Sequence, residues 1–311
     1  MHKCQGHKNW VLVVAWSPDT RFVASGDMNG VIWLWDPATG SAQGSLSGHK
    51  KWITSIAWEP AVDQWPSRRM ASASKDGTVR VWDVTNRSCQ FVLTSHTKAV
   101  TCVKWGGEGI IYTASQDCLI IAWSAKEGRI VRQLKGHAHW VNTLALSSEY
   151  ALRTGPYDHT GCLKFGEHQA EEAKAAASKR HAEATGGRPE RLCDDFTMFL
   201  WEPSKSKSPA ARMTGHVQLI NQVQFSPDGR WVASASFDKS VKLWDGFTGA
   251  FVATFRGHVG PVYQLAWSAD SRLFVSCSKD STLKVWDLRT RKLLMDLPGH
   301  ADEVFSVDWS P

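Results

Sequence analysis

Tyrosine and long apolar runs are scarce in this sequence, which has four tyrosines against 17 tryptophans among 311 residues. The amino-terminal residues lack the apolar core of a signal peptide, and no run reaches membrane-spanning length, so we expect a soluble intracellular protein without a membrane contact. Neither sign of charge dominates, because 36 Lys and Arg face 30 Asp and Glu. The net charge of +6 permits contact with nucleic acid but does not argue strongly for it.

Cysteine chemistry is also poorly represented. The seven cysteines are odd in number, scattered, and never form a Cys-x-x-Cys pair, which argues against a disulfide framework or a zinc site and favours a reducing compartment. The sequence has no metal-ligand cluster, no phosphate-binding glycine loop and no nucleophile elbow. We therefore predict no metal, no cofactor and no enzymatic activity. The cysteines are Cys4, Cys89, Cys102, Cys118, Cys162, Cys193 and Cys277.

A repeated unit accounts for the excess of tryptophan. Gly-His pairs recur mostly at intervals of 41 or 42 residues, and a tryptophan follows most of these histidines after about 28 residues, often with Asp next to it. The Gly-His pairs begin at Gly6, Gly48, Gly136, Gly215, Gly257 and Gly299, with Ser95-His96 in the missing place, and the tryptophans are Trp35, Trp82, Trp123, Trp201, Trp244 and Trp286.

Alternating strand patterns and turn formers fill each unit, as in residues 262–267 and 273–278. A unit of about 40–45 residues with this Gly-His to Trp-Asp pattern is typical of four-stranded propeller blades. The predicted fold class is all-β, a WD-repeat β-propeller with six complete blades and one partial blade over residues 1–311. The repeats are 6–47, 48–94, 95–135, 136–214, 215–256, 257–298 and the partial 299–311.

The seventh repeat stops after one predicted strand, over residues 304–309. A closed propeller completes its ring and so hides its sheet edges, whereas one strand of a last blade leaves edges unpaired. We therefore expect that this sequence is a fragment and that it does not close a stable ring by itself.

A His, a hydroxyl, an Asp and a Trp recur in the repeats, and the first three resemble a hydrolase triad. A triad is one site with one oxyanion hole, whereas this set recurs from repeat to repeat, so we interpret it as a structural hydrogen-bond network. In the first repeat the count gives Ser25 and Asn29, and in the fourth it gives Arg191 and Asp195. The predicted tetrads are His49, Ser72, Asp76 and Trp82; His96, Thr113, Asp117 and Trp123; His216, Ser234, Asp238 and Trp244; and His258, Ser276, Asp280 and Trp286.

The fourth repeat departs from this pattern, because four residues are missing between Arg191 and Asp195. Either Tyr150 to Gly155 supplies the second strand or the blade is damaged, and the sequence alone leaves both interpretations open. Residues 156–190 form an insertion within this repeat. Its residues 167–184 favour a helix but have no sustained apolar stripe, so we expect a mobile, protease-sensitive excursion that buries no face.

Several segments closely resemble the Notchless family of WD-repeat proteins: residues 48–60, 139–155, 194–201, 233–246 and 297–304. The resemblance implies an eight-bladed propeller preceded by a ubiquitin-like domain. Compared with that architecture, we expect this sequence to lack the ubiquitin-like domain, the first blade and the end of the last blade. It also implies a role in assembly of the large ribosomal subunit in the nucleus and nucleolus, with docking on pre-ribosomal large-subunit proteins. In this family the ubiquitin-like domain engages a midasin-type AAA ATPase, and there is a link to Notch signalling.

We therefore predict a non-catalytic protein-interaction scaffold, with an RNA-binding propeller that contacts ribosomal RNA, or a general signalling adaptor, as alternatives. Three tryptophans each lie three residues after a repeat histidine, where other repeats have Ala99, Leu219, Pro261 or Glu303. The fold thus does not require tryptophan there, and tryptophan is enriched at interface hot spots. We call the predicted partner-binding surface the tryptophan face, and it consists of Lys8, Trp10, Lys51, Trp52, His139 and Trp140. The alternative is that these indoles are packed against neighbouring blades.

Overall fold

A computed structural model describes residues 3–157, 169–194 and 198–309. These residues form 24 strands, arranged as six four-stranded antiparallel sheets, and two helices. Each sheet uses four strands that follow one another in the sequence, paired in chain order. The predicted all-β fold class with WD-type blades is confirmed. Neither helix in the described part of the chain is long and apolar enough to cross a membrane.

The described residues divide into two compact units. The N-terminal unit comprises residues 3–141, 151–157 and 169–181 and holds three sheets. Its strands are β1 (Val11–Trp16), β2 (Val23–Asp27), β3 (Ile32–Trp35) and β4 (Ala42–Leu46); β5 (Ile53–Trp58), β6 (Arg69–Ser74), β7 (Val79–Asp83) and β8 (Ser88–Leu93); and β9 (Val100–Trp105), β10 (Ile110–Ser115), β11 (Leu119–Ser124) and β12 (Ile130–Lys135).

The C-terminal unit comprises residues 142–150, 182–194 and 198–309 and holds the other three sheets. Its strands are β13 (Leu144–Leu146), β14 (Leu192–Asp194), β15 (Phe199–Trp201) and β16 (Ala211–Arg212); β17 (Ile220–Phe225), β18 (Trp231–Ser236), β19 (Ser240–Asp245) and β20 (Phe251–Arg256); and β21 (Val262–Trp267), β22 (Leu273–Ser278), β23 (Leu283–Asp287) and β24 (Lys292–Leu297). The helices are α1 (Glu149–Thr154) and α2 (Ala170–Thr185).

The core lies between the faces of successive sheets within each unit. In the N-terminal unit, Val81 of β7 and Val103 of β9 belong to one buried cluster. In the C-terminal unit, Leu243 and Leu265 do the same for the fifth and sixth sheets. Inner strands such as β6 are buried on both faces, whereas the outer strand β8 alternates between buried and exposed side chains. This pattern is why the middle of each repeat reads as a continuous apolar and small-residue run.

A β-bulge interrupts the pairing of the third and fourth strands at the repeat tryptophan in five of the sheets. An extra residue there bends the strand and re-aims the side chain beside it. The turn between the second and third strands contains a residue in the left-handed region, Gly77 in one sheet and Lys239 in another. The bulge and the left-handed turn residue recur in sheets that carry tetrads. The spacing of Gly-His and Trp-Asp in the sequence does not predict either feature.

The fourth sheet corrects the sequence-based interpretation of its repeat. Tyr150 to Gly155 supplies no strand, because residues 149–154 form helix α1. The second strand is β14, which pairs with β13 and β15 to give a complete sheet, so the blade is not damaged either. Asp194 lies opposite Leu144, just as the tetrad hydroxyl residue Ser234 lies opposite Val223 in the next sheet. From that position the chain reaches the repeat tryptophan Trp201 in fewer residues than it needs from Ser234 to Trp244, so the connection between β14 and β15 is shorter.

The insertion forms the predicted helical stretch, but the expectation that this helix buries no face is wrong. In the N-terminal unit Ala173 and Ala177 are fully buried in a cluster with Ala61 and Trp65. Arg180 fastens the same helix by donating hydrogen bonds to Thr154 Oγ1 (2.9 Å) and to the Gly155 carbonyl (2.7 Å). A stripe of alanines is a weak signal on a hydrophobicity scale, yet it lets a helix approach a loop closely. Residues 158–168 lie outside the described residues.

The segment predicted to open a seventh repeat forms no strand of its own within the described residues up to 309. It nevertheless lies beside the sixth sheet, because Val304 N–H donates to the Ser278 carbonyl at 3.1 Å and Val307 N–H donates to Gln264 Oε1 at 3.1 Å. In the N-terminal unit Val141 N–H donates to the Ser115 carbonyl in the same manner. The start of the segment therefore makes a contact that repeats elsewhere in the chain.

Candidate functional site

Each tetrad is centred on a buried hydroxyl group. In the second repeat Ser72 Oγ lies 2.8 Å from His49 Nε2 and accepts a hydrogen bond from Trp82 Nε1 at 2.7 Å. His49 Nδ1 lies 3.0 Å from Asp76 Oδ2. The Asp76 carboxylate also accepts a hydrogen bond from Thr78 N at 2.9 Å, which fixes the turn that carries it. The four side chains thus connect the Gly-His segment, the second strand, the turn and the third strand.

The structure places the other predicted tetrad residues in the same arrangement. The distances from histidine to carboxylate, from histidine to hydroxyl and from indole to hydroxyl are 2.9, 2.8 and 2.9 Å for His96, Asp117, Thr113 and Trp123. They are 2.7, 2.7 and 2.9 Å for His216, Asp238, Ser234 and Trp244. They are 2.9, 2.8 and 2.8 Å for His258, Asp280, Ser276 and Trp286.

The first repeat has a fifth tetrad that the sequence count missed. His7 Nδ1 lies 2.9 Å from Asp27 and its Nε2 lies 2.6 Å from Ser25, whose hydroxyl accepts from Trp35 Nε1 at 2.7 Å. Counting back from the tryptophan selects Asn29, whereas the carboxylate comes from Asp27 at the end of β2. An Asp within the second strand, two residues after the hydroxyl, was the signal that could have identified it.

Chemically, the tetrad can hold a blade together but offers no nucleophile. With a proton on Nδ1 shared with the carboxylate, histidine Nε2 accepts from the hydroxyl, whose oxygen in turn accepts from the indole. Ser72, Thr113, Ser234 and Ser276 are all completely buried. A substrate carbonyl has no approach to these oxygens, so the resemblance to a triad ends at the residue types.

Titration of the tetrads follows from their burial. Burial lowers the pKa of His49, His96, His216 and His258 below the ordinary value, against the opposing effect of the paired carboxylate. Burial also opposes ionisation of Asp76, but hydrogen bonds from Thr78, from the Lys50 backbone and from His49 outweigh it and lower the pKa of Asp76 to about 2. These four tetrads therefore contain neutral histidine and ionised aspartate at neutral pH.

A second repeated contact fixes the backbone three residues after five of the repeat histidines. The carbonyl of Trp10 accepts from Met28 N at 3.1 Å, that of Trp52 from Lys75 N at 2.9 Å, and that of Ala99 from Gln116 N at 3.0 Å. The carbonyls of Leu219 and Pro261 make the same bond in the C-terminal unit. The donor always follows the tetrad hydroxyl by three residues, so these positions are equivalent in the repeats.

None of the three tryptophans of the tryptophan face is buried. Trp10 is 74% exposed, Trp140 45% and Trp52 38%, whereas the tetrad tryptophan Trp82 is 2% exposed. Lys75 Nζ lies over the Trp52 ring at 3.8 Å from its centroid, and the rings of His139 and Trp140 are 5.4 Å apart. The alternative of indoles packed away between sheets does not describe these side chains.

Comparison with known proteins places these observations in a family. The sequence model described as "WD domain, G-beta repeat" matches residues 1–36, 40–83, 87–124, 207–245 and 249–287. The chain belongs to the WD40-repeat family. The matched segments omit residues 125–206, which hold the fourth WD40 sheet with its short β14–β15 connection and its insertion.

Individual WD40 relatives are much more similar than the family as a whole. "Ribosome assembly protein 4" of Saccharomyces cerevisiae is 54% identical over 262 residues, which is 82% of this chain and 51% of that protein. "Notchless protein homolog" of Arabidopsis thaliana is 61% identical over 103 residues, 32% of this chain and 21% of that protein. "Protein Notchless" of Drosophila melanogaster is 51% identical over 129 residues, 40% of this chain and 26% of that protein. The chain thus spans at most about half the length of these relatives, and the predicted resemblance to the Notchless family is confirmed.

In the fourth WD40 repeat, Arg191 does not occupy the hydroxyl position that the count assigned to it. The strand register gives that position to Asp194, and Arg191 precedes the strand. The Arg191 guanidinium is buried, donates to the Gly229 carbonyl at 3.0 Å and lies 4.1 Å from the centre of the Phe247 ring. Burial, with Arg188 nearby, lowers the pKa of Arg191 to about 10. Asp195 lies outside the described residues.

The exposed charges around the tryptophan face are lysines, whereas the carboxylates there are buried. In the N-terminal unit, the Gly-His segments and the turns between second and third strands carry exposed lysines. Their carboxylates, Asp27, Asp76 and Asp117, are each paired with a tetrad histidine. A partner that meets this surface therefore encounters ammonium groups and indoles. The exposed lysines are Lys8, Lys50, Lys51, Lys75 and Lys98.

Proposed function

We propose that this chain is the WD40 scaffold of a factor that assembles the large ribosomal subunit, without catalytic activity of its own, and that it acts in the nucleus and nucleolus. The observation that carries the proposal is the 54% identity to Ribosome assembly protein 4 of Saccharomyces cerevisiae over 82% of this chain. Identity at that level over most of the chain favours a shared partner as well as a shared fold. The coarser statement, a binding protein of the WD40 class, does not depend on this relative.

The site supports a binding role over a catalytic one. The tetrad hydroxyls are buried and saturated with hydrogen bonds, which leaves them a structural task. The tryptophan face, by contrast, presents large side chains to solvent at positions where the fold accepts Ala99 or Pro261. We propose that this face docks on pre-ribosomal large-subunit particles, since exposed aromatic anchors with a polar rim are the usual composition of binding hot spots.

The test is recovery of the particle with the protein. The tagged protein, expressed at its natural level, is purified from its own cells, and precursor ribosomal RNA and large-subunit proteins are measured in the eluate. We expect enrichment of large-subunit precursors over small-subunit precursors, and loss of this enrichment when Trp10, Trp52 and Trp140 are replaced by Ala. Equal recovery of both precursors, or of neither, would refute the proposed function.

The family's expected contact with a midasin-type AAA ATPase runs through a ubiquitin-like domain. It stays a prediction about full-length relatives, and the proposed function does not require such an ATPase in the eluate. A general signalling adaptor, the Notch-pathway alternative, would be recovered with receptor or kinase components instead of ribosomal precursors. No contact or charge pattern in the described residues favours that alternative.

A further inference from the structure

We propose that the tryptophan face is a platform for single-stranded RNA, on which bases stack against the three indoles while lysines bind the phosphates between them. This inference names a partner for the docking surface of the proposed function. It can nevertheless fail while that function stands, because a pre-ribosomal particle also offers proteins. Three observations carry it: the exposure of the indoles, their positions ahead of the first strands of three different sheets, and the exposed lysines around them.

The indoles are held in place by the sheet rather than by their own packing. The backbone bonds from Met28 N to the Trp10 carbonyl and from Lys75 N to the Trp52 carbonyl fix the position of each residue. Trp140 precedes Val141, whose N–H and carbonyl both bond to the third sheet, the carbonyl to Thr101 Oγ1 at 2.5 Å. A tryptophan side chain has only two rotatable bonds, so an indole on a fixed backbone loses little conformational freedom when a base stacks on it.

The spacing of the indoles favours a strand of nucleotides over an apolar protein segment. Trp10 and Trp52 immediately precede β1 and β5, the first strands of successive sheets, and packed sheets are about 10 Å apart. The next equivalent position is Ala99, so Trp140 is separated from Trp52 by a repeat that has no indole there. A protein anchor gains most of its binding energy from a single well-packed, desolvated pocket. Separate exposed rings instead suit successive bases, each of which has its own stacking face.

The surrounding charge is suited to phosphate. Lys8, Lys51 and Lys98 form no ion pair within the described part of the chain, and Lys75 lies over the Trp52 ring instead of against a carboxylate. The three carboxylates of these segments are buried beside the tetrad histidines, so the exposed lysines are the charges that an approaching phosphate backbone meets first. Phosphate contacts of this kind supply most of the sequence-independent affinity for nucleic acid. A duplex is a poorer fit, since its bases are stacked on one another and not on protein.

The experiment is a fluorescence-anisotropy titration of the whole chain with a labelled single-stranded RNA of about a dozen nucleotides, within the site sizes that stacking platforms use. With about four lysine–phosphate contacts, the affinity should fall about fiftyfold between about 50 and 200 mM salt. Each single replacement of Trp10, Trp52 or Trp140 by Ala should weaken binding about tenfold, and the triple variant more than a hundredfold. Lys8→Ala with Lys51→Ala should reduce the salt slope by about 1.4.

Matched controls lie on the same unit. Trp16 is 55% exposed at the opposite end of β1, and Lys126 is exposed in the turn between β11 and β12. Trp16→Ala and Lys126→Ala remove the same groups and should leave the affinity unchanged within about twofold. Thermal melting of every variant, with affinities expressed per folded molecule, separates a binding defect from a folding defect.

Competitors decide between RNA and an acidic protein partner. We expect unlabelled single strands to compete well, a duplex of equal length poorly, and polyglutamate of equal charge poorly. Competition by polyglutamate equal to that by RNA, or equal losses in the Trp16→Ala and Trp10→Ala variants, would overturn the inference. Absence of RNA binding with large-subunit precursors still recovered would overturn only this inference. RNA binding without recovery of precursors would refute the proposed function and leave this inference intact.

Discussion

The Gly-His segments of the two units make the same backbone hydrogen bond but carry different side chains at that position. In both units the carbonyl three residues after the histidine accepts a hydrogen bond from the turn that follows the second strand. In the N-terminal unit that residue is Trp10, Trp52 or Ala99, whereas in the C-terminal unit it is Leu219 or Pro261. Lys279 of the C-terminal unit is also neutralised by Glu303 at 3.1 Å. The repeat therefore specifies the position, and the residue placed there is free to serve binding.

The tetrads give the opposite result, since they are the same in both units. His49 and His258 have the same partners at distances that agree within 0.1 Å for the carboxylate, at 3.0 and 2.9 Å. A feature common to both units serves the fold that they share, and a feature of one unit is the place to look for a specific partner. Substitutions of the two kinds should affect different measurements.

The largest expected effect is on stability. Trp82→Ala removes a fully packed indole and leaves Ser72 without its donor, so we expect the free energy of unfolding to fall by about 3–5 kcal/mol. Trp52→Ala removes an exposed indole from the same repeat and should cost less than about 1 kcal/mol. Urea unfolding measures both. If the two variants lost similar amounts of unfolding free energy, the tetrad tryptophan and the tryptophan of the tryptophan face would have the same structural role, contrary to the prediction.

The insertion provides the next test, because helix α2 has a buried and an exposed side. Ala177→Glu places a carboxylate in a fully buried position and should cost about 2 kcal/mol and expose the helix to trypsin at Lys174 and Lys179. Ala175→Glu, two residues away on the exposed side, is the control and should change neither. If the helix were not docked, the two variants would be cleaved at the same rate as the parent protein.

Acid should destabilise the chain through the tetrads of both units alike. Because the pKa values of His49, His96, His216 and His258 are lowered in the folded state, the unfolded chain binds protons first as the pH falls below about 6.5, and stability decreases. A second loss follows below about pH 4, since Asp76 has its pKa lowered to about 2. Unfolding free energies measured from pH 8 to pH 4 should decline smoothly.

Replacement of one tetrad histidine sharpens this test. His216→Gln should lower stability at neutral pH and also reduce the slope of stability against pH below about 6.5, because one fewer group titrates. Parallel slopes for the parent and the His216→Gln variant would show that the tetrads do not control the acid response.

The repeated parts of this molecule were predictable because spacing determines them. Sheets and tetrads follow from the interval between Gly-His and Trp, and an alternating strand pattern can be read within each repeat. The exceptions occur where strand register, and not a fixed interval along the sequence, determines which residue occupies a position. In the first repeat the tetrad carboxylate comes from Asp27, which lies inside a strand. In the fourth repeat a shortened hairpin connection puts Asp194 at the register position where the count expects Arg191. In each case a count along the sequence selects a neighbour of the residue that the strand register positions.

Helices α1 and α2 were harder to predict for another reason. Tyr150 to Gly155 has the composition of a short strand as readily as of a short helix, and only the pairing of β13 with β14 excludes the strand. The buried side of α2 consists of alanines, whose small apolar area yields no stripe in the sequence. The exposure of Trp10 and Trp140 was equally open, because tryptophan is usually buried.

The smallest expected effect comes from transferring the tryptophan face to the C-terminal unit. Leu219→Trp together with Glu303→Gln adds an indole at an equivalent backbone position and releases Lys279 from its ion pair. An exposed ion pair is worth about 1 kcal/mol or less, so stability should change by less than that. If an indole beside the fifth sheet and a released lysine beside the sixth suffice for the proposed RNA contact, the affinity for the single strand should rise about threefold, since one stacking contact is added without a continuous platform. Phe251→Trp, on the outer strand β20, is the control and should leave the affinity unchanged. The double variant could also leave the affinity unchanged. The neighbouring lysines and the second indole of the N-terminal unit would then be indispensable for RNA binding. The Gly-His ends of the two units would differ by more than the residue at one repeat position.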